Sequence, residues 1–162
     1  MMTTLNTVVP ALPVLLSLTG VGVGIYSFVS PTNAIRMFGL RVPSPTGKDL
    51  PSPHAEAFQR SVIYTYGIRN VGTGLASLGM FAFWQLSPVC QANPSVSDAV
   101  RQCLGICLIT GTTVGLGDAL IVRKFAKDEG VQGEAKIEAS KASISHAITA
   151  AFILATGVFL VL

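Results

Sequence analysis

Residues 14–29 read VLLSLTGVGVGIYSFV and contain no charged side chain. Together with the preceding apolar residues they form a run over about 8–29, long enough for a membrane-crossing helix, which needs about 20 residues. Ser30 and Pro31 end the run, because proline lacks an N–H and restricts the residue before it. A cleaved signal peptide is the alternative, although the N-terminal MMTTLNT has no basic residue. The stretch therefore predicts a first membrane-spanning helix.

Three further apolar runs cover about residues 57–86, 98–122 and 140–162. Segments rich in proline, glycine and charge separate them, as is typical of loops. We therefore expect an all-α, integral membrane four-helix bundle that forms a single domain over residues 1–162. Small residues such as Gly20, Gly24 and Ser27 share one side of the first helix and are expected to let helices approach closely.

The composition supports the membrane prediction and excludes other classes. Half of the 162 residues are hydrophobic, only 12% are charged, and the mean hydropathy is +0.59, which is unlike a soluble domain. The net charge is only +3 and the basic residues lie in connecting segments, so no nucleic-acid partner is expected. The expected partners are the lipid bilayer and a hydrophobic small molecule, and the oligomeric state stays open.

Known signatures for cofactors and metals are missing from the sequence. It has no GxSxG, HExxH, Walker or Rossmann motif. The spacing of Cys90, Cys103 and Cys107 fits neither a four-ligand zinc site nor a CxxC redox pair. We therefore expect no cofactor and no metal. A disulfide between Cys90 and Cys103 is one alternative, and free thiols are the other.

Lysine and arginine in the loops predict the orientation. They concentrate in two segments, 30–56 and 123–139, and the N-terminus and the 88–97 loop have none. By the positive-inside rule both basic loops are cytosolic and both termini lumenal, with the endoplasmic reticulum the expected membrane. The proline-rich part of 30–56 is either a lid over the cytosolic mouth of the bundle or a solvated linker. Residues 127–138 are either a solvated loop or the start of the last helix.

Polar side chains inside the spans mark the candidate site, because an ionisable group at the bilayer centre costs at least about 2.5 kcal/mol. The second helix is predicted to place four polar residues on one side and Arg69 at its edge. Those four are Gln59, Tyr66, Asn70 and Thr73. Asp118 shares a face with Gly111 and Gly115 in the third helix, and His146 lies in the fourth. All fall in the cytosolic half, which predicts a polar pocket that opens toward the cytosol.

Two interpretations of these residues stay open. In the first, Arg69 and Asp118 form a buried ion pair that only fixes packing, as in an assembly or transport protein, and hydrophobic replacement of both is tolerated. In the second, they form an acid/base site. Asp118 is then the general base, Arg69 and Tyr66 stabilise a developing oxyanion, Asn70 positions water and His146 relays a proton. The residues expected to contact the substrate are Tyr26, Gln59, Tyr64 and Thr73.

Three stretches carry a family resemblance: GVGVGIYSFVSPTNAIRMFGL at 20–40, FQRSVIYTYGIRNVGTGLA at 58–76 and GLGDALIV at 115–122. Across essentially the whole chain the sequence resembles a fungal family of small four-span membrane proteins that look like DoxX-type four-helix bundles. The resemblance implies a role in secondary metabolism, where some members act as hydrolases or cyclases on polyketide or terpenoid epoxides. The matching positions are Arg69, Asn70 and Asp118.

The chemistry is also similar in kind to limonene-type epoxide hydrolases, in which carboxylates, Arg, Tyr and Asn activate water. This chain departs from that pattern because Asp118 is the single carboxylate well inside the spans. Either Glu56 or His146 would then take the place of a second acid. We expect a cofactor-independent membrane enzyme that hydrolyses or cyclises an epoxide, with an isomerase as the alternative.

Overall fold

The computed structural model describes residues 2–40, 53–128 and 130–162, with side chains from residue 11 onward. These residues form helices and no strand, so the predicted all-α class is confirmed. The helices, numbered along the chain, are α1 (Met2–Val29), α2 (Pro31–Phe38), α3 (Pro53–Leu86), α4 (Pro88–Ala92), α5 (Pro94–Ala126) and α6 (Gly133–Val161). Three regions are long and apolar enough to cross a membrane: Ala11–Val29 of α1, the whole of α5 and the whole of α6.

The predicted count of four spanning helices is not confirmed, because the described chain has six helices and α3 is not one of the three apolar ones. At 34 residues α3 is the longest helix, but it has no stretch as apolar as those of α1, α5 and α6. Glu56 and Arg60 lie near its start, and Arg69 and Asn70 lie near its middle. The length of α3 therefore matches that of a spanning helix, whereas polar residues from its start to its middle shorten its apolar part.

The short helix α2 corrects the prediction that a loop or linker begins directly after residue 29. Pro31 ends α1 but also starts α2, because the first turn of a helix does not need the N–H that proline lacks. Gly39 ends α2 with a φ of 96°, and a Cβ at this position would collide with Ala142 of α6. Arg41, Lys48 and the rest of the proline-rich stretch, 41–52, lie outside the described residues.

Other helix limits also extend beyond the predicted apolar runs. α3 begins at Pro53, and α5 begins at Pro94, where the Asn93 side chain accepts hydrogen bonds from the backbone N–H groups of Ser95 and Val96. α6 begins at Gly133, so the second half of the mixed-charge segment 127–138 is the start of the last helix. Hydrophobicity alone missed these turns because the helices continue with polar residues past their apolar part.

The four long helices pack as two pairs, α1 with α3 and α5 with α6, and contacts between the pairs are sparse. Glycines bring each pair together. A Cβ at Gly24 would lie 2.7 Å from the carbonyl oxygen of Gly67 in α3, and one at Gly157 would lie 2.8 Å from that of Gly105 in α5. The prediction that small residues on the first helix allow close packing is confirmed at Gly24, and Gly105 and Gly157 do the same in the second pair.

Two apolar clusters close the ends of the bundle. At one end Leu104, Leu108 and Leu160 are buried against Trp84 and its neighbours. At the other, where α5 ends and α6 begins, a second cluster of buried residues packs against Phe38 of α2; it consists of Val122, Ala126 and Ala139. The candidate site lies between these two clusters.

The outward surface is strongly apolar. Leu15, Leu120 and Phe152, on three different helices, each leave more than half of their surface exposed. A contiguous apolar exterior is rare in soluble monomers, and helices satisfy their own backbone hydrogen bonds as a bilayer requires. These features suggest a lipid environment.

The close approach of α1 and α3 gives a first testable prediction. A Cβ at Gly24 would lie 2.6–2.8 Å from three atoms of α3, two of which are backbone atoms. Gly24→Ala is therefore expected to force the helices apart and lower the free energy of unfolding by about 1–3 kcal/mol. Gly22→Ala, on the same helix, places its Cβ in open space and serves as the control. Thermal unfolding in detergent measures both, and equal stability of the two variants would contradict the prediction.

Candidate functional site

The centre of the candidate site is an ion pair between α3 and α5. The Nη2 atom of Arg69 lies 2.8 Å from Oδ2 of Asp118 and 3.0 Å from Oδ1. The Asp118 side chain is 10% exposed and that of Arg69 39%. The predicted meeting of these two residues is confirmed. Because α3 and α5 belong to different helix pairs, this contact also joins the two halves of the bundle.

Aromatic rings surround the ion pair on the side of α2. The guanidinium carbon of Arg69 lies 5.1 Å from the centre of the Tyr66 ring, a cation–π distance. The ring of Phe38, at the end of α2, contacts Tyr66 edge-on at 4.8 Å and the imidazole of His146 at 5.0 Å. Phe38 therefore connects the phenol of α3 with the imidazole of α6.

The hydrogen bond of His146 identifies which of its ring nitrogens is the donor. Its Nε2 lies 3.1 Å from the backbone oxygen of Phe38. A carbonyl oxygen only accepts hydrogen bonds, so Nε2 carries the proton and donates, and Nδ1 is an acceptor in the neutral ring. One helical turn away, the Ser143 hydroxyl donates to the backbone oxygen of Ala119, next to Asp118. These two contacts hold α6 against α2 and α5.

An inner cavity of about 300 Å³ lies between the two helix pairs. It is lined by residues of all four long helices. Its lining includes most of the predicted site, namely Tyr66, Arg69, Asn70, Thr73, Asp118 and His146. The structure thus brings together all five predicted catalytic residues around one space, together with one of the predicted substrate contacts.

A second space, the outer groove, has a volume of about 470 Å³ and lies between α2, α3 and α5. Its wall is mostly apolar, with Ile35, Phe38, Phe58, Val62 and Ile121 among its residues. Gln59, a predicted substrate contact, lines this groove. Three site residues line both spaces, and they are Tyr66, Arg69 and Asp118.

Tyr26 and Tyr64, the other two predicted substrate contacts, lie elsewhere in the structure, contrary to the prediction. Neither lines the inner cavity or the outer groove. Tyr64 stacks on Phe28 with ring centres 5.5 Å apart, on the outward side of the α1/α3 pair, and Tyr26 is 36% exposed. A tyrosine near the end of an apolar helix is common where the side chain reaches the membrane interface.

Asn70 and Thr73 are partly engaged by their own helix. The Asn70 side-chain nitrogen donates to the backbone oxygen of Tyr66 at 2.8 Å, and the Thr73 hydroxyl donates to that of Arg69 at 2.9 Å. These bonds use donors and leave the side-chain oxygens as acceptors. Both residues can therefore accept a hydrogen bond from a molecule in the inner cavity.

The two alternatives for a second acid are separated by position. Glu56 lies 3.8 Å from Arg60, one turn along α3, and both side chains are more than half exposed. Glu56 lines neither the inner cavity nor the outer groove, whereas His146 lines the inner cavity. Of the two, His146 is the one placed to act beside Asp118.

Sequence reasoning missed several lining residues and one backbone contact. Ser17, Ser77 and Thr149 add hydroxyl groups to the inner cavity. Thr149 was detectable, because it follows His146 by three positions and so shares its helix face. The carbonyl of Phe38 gave no signal, since α2 was not expected to be a helix.

One of the three cysteines, Cys107, is among the residues that line the inner cavity. Cys90 is buried, Cys103 and Cys107 are exposed, and all three are free, so the disulfide alternative is not formed. Among the described residues, no three His, Cys, Asp or Glu side chains cluster as metal ligands.

The contact between His146 and α2 gives a second prediction. His146→Phe keeps an aromatic ring beside Phe38 but removes the hydrogen bond to its backbone oxygen. A hydrogen bond of this kind contributes about 0.5–1.5 kcal/mol, so the amides of α2 are expected to exchange up to about tenfold faster. Hydrogen–deuterium exchange of the 31–38 peptide measures the effect. Ser145→Ala, exposed on the adjacent position of α6, should leave this exchange unchanged. Unchanged exchange in His146→Phe would mean that packing alone holds α2.

One comparison with known proteins identifies a relationship. A family model described as Domain of unknown function (DUF4267) matches residues 17–160. No curated protein and no solved structure matches the chain. The family match covers all helices that build the site, and it confirms neither a fungal origin nor a relation to DoxX-type bundles. The chain belongs to the family described as Domain of unknown function (DUF4267).

Proposed function

We propose that this chain is a cofactor-independent membrane enzyme that opens an epoxide in a hydrophobic metabolite, by hydrolysis or cyclisation, in polyketide or terpenoid biosynthesis. One observation carries the proposal: the Arg69–Asp118 pair, with Tyr66 beside it, borders an open cavity of about 300 Å³. A buried ion pair contributes little to stability by itself, because desolvation offsets its attraction. A pair kept only for packing has no need of an adjacent cavity lined by further polar groups.

The arrangement supplies each role that epoxide opening requires. Asp118, held by the hydrogen bonds from Arg69, takes a proton from water, and the water oxygen attacks an epoxide carbon while the ring C–O bond breaks. The alkoxide formed is stabilised by Arg69 and receives the Tyr66 hydroxyl proton. His146 returns the proton from Asp118 to Tyr66, which restores the site. The sum is one water added and one diol formed; in cyclisation a substrate hydroxyl replaces water and the product is a cyclic ether with a new hydroxyl.

We also propose that α3 crosses the membrane with α1, α5 and α6 as a DoxX-like four-span bundle. The α1/α3 contacts run antiparallel, from Gly24 beside Gly67 to Ser17 beside Gly74, so α3 follows α1 through its apolar part. Residues 70–86 of α3 carry no charge. The basic segments 30–56 and 123–139 then face the cytosol and both termini face the lumen of the endoplasmic reticulum of a fungal cell.

Isotope labelling tests the reaction. Purified protein in lipid nanodiscs is incubated in ¹⁸O-water with two probes, and empty nanodiscs serve as the control. The probes are limonene 1,2-epoxide and an epoxy alcohol that has an alkyl chain on one side of the epoxide and a hydroxyl-bearing chain on the other. A diol that contains one ¹⁸O supports hydrolysis, and an unlabelled cyclic ether supports cyclisation. A product with a moved double bond and an intact epoxide would support the isomerase alternative instead. No conversion above empty nanodiscs with either probe would reject epoxide opening.

A further inference from the structure

The ion pair stands at the boundary between two spaces of different chemistry. Tyr66, Arg69 and Asp118 line both the inner cavity and the outer groove. Each space alone is of the size that small-molecule ligands occupy in proteins. A molecule whose reacting atom lies at Arg69 and Asp118 can therefore extend in two directions, and the two directions need not accept the same chemical groups.

The outer groove suits a hydrocarbon chain. Phe58, Val62 and Ile121, on two helices of different pairs, line it and each leaves more than half of its surface exposed. The groove therefore opens toward the outside of the bundle, where the surrounding surface is apolar. The α2 residues Ile35 and Phe38 close its other side. An alkyl or isoprenoid chain can enter this groove from lipid without losing a hydrogen bond.

The inner cavity suits a hydroxylated group. Thr73, Asn70 and His146 line it, and each spends a donor on a backbone oxygen of the protein. Each keeps an acceptor for a ligand, namely the Thr73 Oγ1, the Asn70 Oδ1 and the His146 Nδ1, and Asn70 also keeps one N–H donor. Three acceptors around one space complement ligand O–H donors. A plain hydrocarbon would leave these acceptors without hydrogen-bond partners, which weakens its binding.

We propose that the substrate is bipartite: a hydrocarbon tail lies in the outer groove, a hydroxyl-bearing portion lies in the inner cavity, and the reacting group joins them at the Arg69–Asp118 pair. The chemical step in this statement rests on the proposed function, but the two binding directions do not. The proposal excludes substrates whose reacting group stands at the end of a hydrocarbon chain, since these would fill one space and leave the other empty.

Photolabelling with a non-reacting analogue tests the two directions. The probe is a dodecyl chain joined through a tetrahydrofuran ring, in place of the epoxide, to a dihydroxybutyl group. One version carries a diazirine in the dodecyl chain and the other carries it in the dihydroxybutyl group. With wild-type protein in nanodiscs, the first should label the segment around Phe58 and Val62, and the second should label Leu16 of α1 or Ile153 of α6, which line the inner cavity.

A matched pair of variants on α5 controls the test. A Cβ at Gly111 or at Gly117 meets no atom within 4 Å, so both positions accept a larger side chain, but only Gly111 lines the inner cavity. Gly111→Leu should reduce inner-cavity labelling by about tenfold or more and keep outer-groove labelling, and Gly117→Leu should keep both. Omitting the two hydroxyls from the probe should reduce inner-cavity labelling by about tenfold, the loss of roughly one hydrogen bond.

Labelling of the same residues by both probe versions, or equal inner-cavity labelling with and without the hydroxyls, would overturn the bipartite substrate. Because labelling needs no turnover, its outcome is independent of the isotope experiment. If an epoxide is converted but both diazirine probes label the same space, the proposed reaction is supported and the bipartite substrate is rejected. Separate labelling of the two spaces without epoxide conversion would retain the binding site and reject the proposed reaction.

Discussion

Asp118→Asn is expected to lower epoxide turnover by a factor of about 100 to 10,000, the usual contribution of a general base. Asparagine has nearly the same size, and its side-chain oxygen can still accept a hydrogen bond from Arg69, so the geometry of the site should persist. It cannot take up the proton that the attacking water releases. The variant should therefore reach the membrane in normal amounts and lose the chemical step.

Asp98→Asn is the matched control for this variant. Asp98 lies on the same helix, α5, its side chain is 68% exposed, and it stands 3.7 Å from the side chain of Arg101. It lines neither the inner cavity nor the outer groove. Turnover of ¹⁸O-water into diol, measured per mole of folded protein, should equal that of the wild type. Equal turnover in Asp118→Asn would exclude Asp118 as the base.

Removing one charge of the central pair is expected to destabilise the protein far more than removing both. Asp118→Leu leaves the Arg69 guanidinium without its partner, and breaking a buried pair in this way costs about 3–5 kcal/mol. The lower end of that range is expected, because 39% of the Arg69 side chain is exposed. Combining Asp118→Leu with Arg69→Met removes both charges and should restore most of the lost free energy of unfolding.

A double-mutant cycle on thermal or denaturant unfolding in detergent measures this coupling between α3 and α5. The double variant also separates the two interpretations of the pair. For an enzyme it should be stable and inactive, whereas for a packing device it should be stable and functional. A double variant as unstable as Asp118→Leu alone would show that Arg69 does not depend on Asp118, and full turnover in the double variant would contradict the catalytic role of both.

The meeting of Arg69 and Asp118 was predictable from the sequence because each is a charge within an otherwise apolar run. Such a charge needs a partner, and few opposite charges lie at a similar depth. The helical periodicity also placed Tyr66, Asn70 and Thr73 on one side of α3, which the inner cavity confirms. The free-energy cost of a charge in an apolar segment and the repeat of the helix can both be inferred from the local sequence. They suffice to place residues that have few possible partners.

The outer groove was not predictable, because it depends on α2. Pro31 was interpreted only as the end of α1, although the same residue type is favoured in the first turn of a helix. Without α2 there is no wall formed by Ile35 and Phe38, and no backbone oxygen for His146. The positions of Tyr26 and Tyr64 were missed for another reason: periodicity tells which residues share a side of a helix, but lipid and a polar pocket both accept a tyrosine.

The division of the bundle into two tightly packed pairs has a consequence for biosynthesis. Apart from the short α2, each pair consists of long helices that follow one another along the chain. The first pair can therefore assemble while α5 is still being translated, and it then contains Arg69 without Asp118, which follows 49 residues later. The addition of α5 brings Asp118 to this cation, and α6 then completes the second pair. A chain truncated between the pairs would retain Arg69 without its carboxylate partner, a defect by which quality control can recognise unfinished proteins.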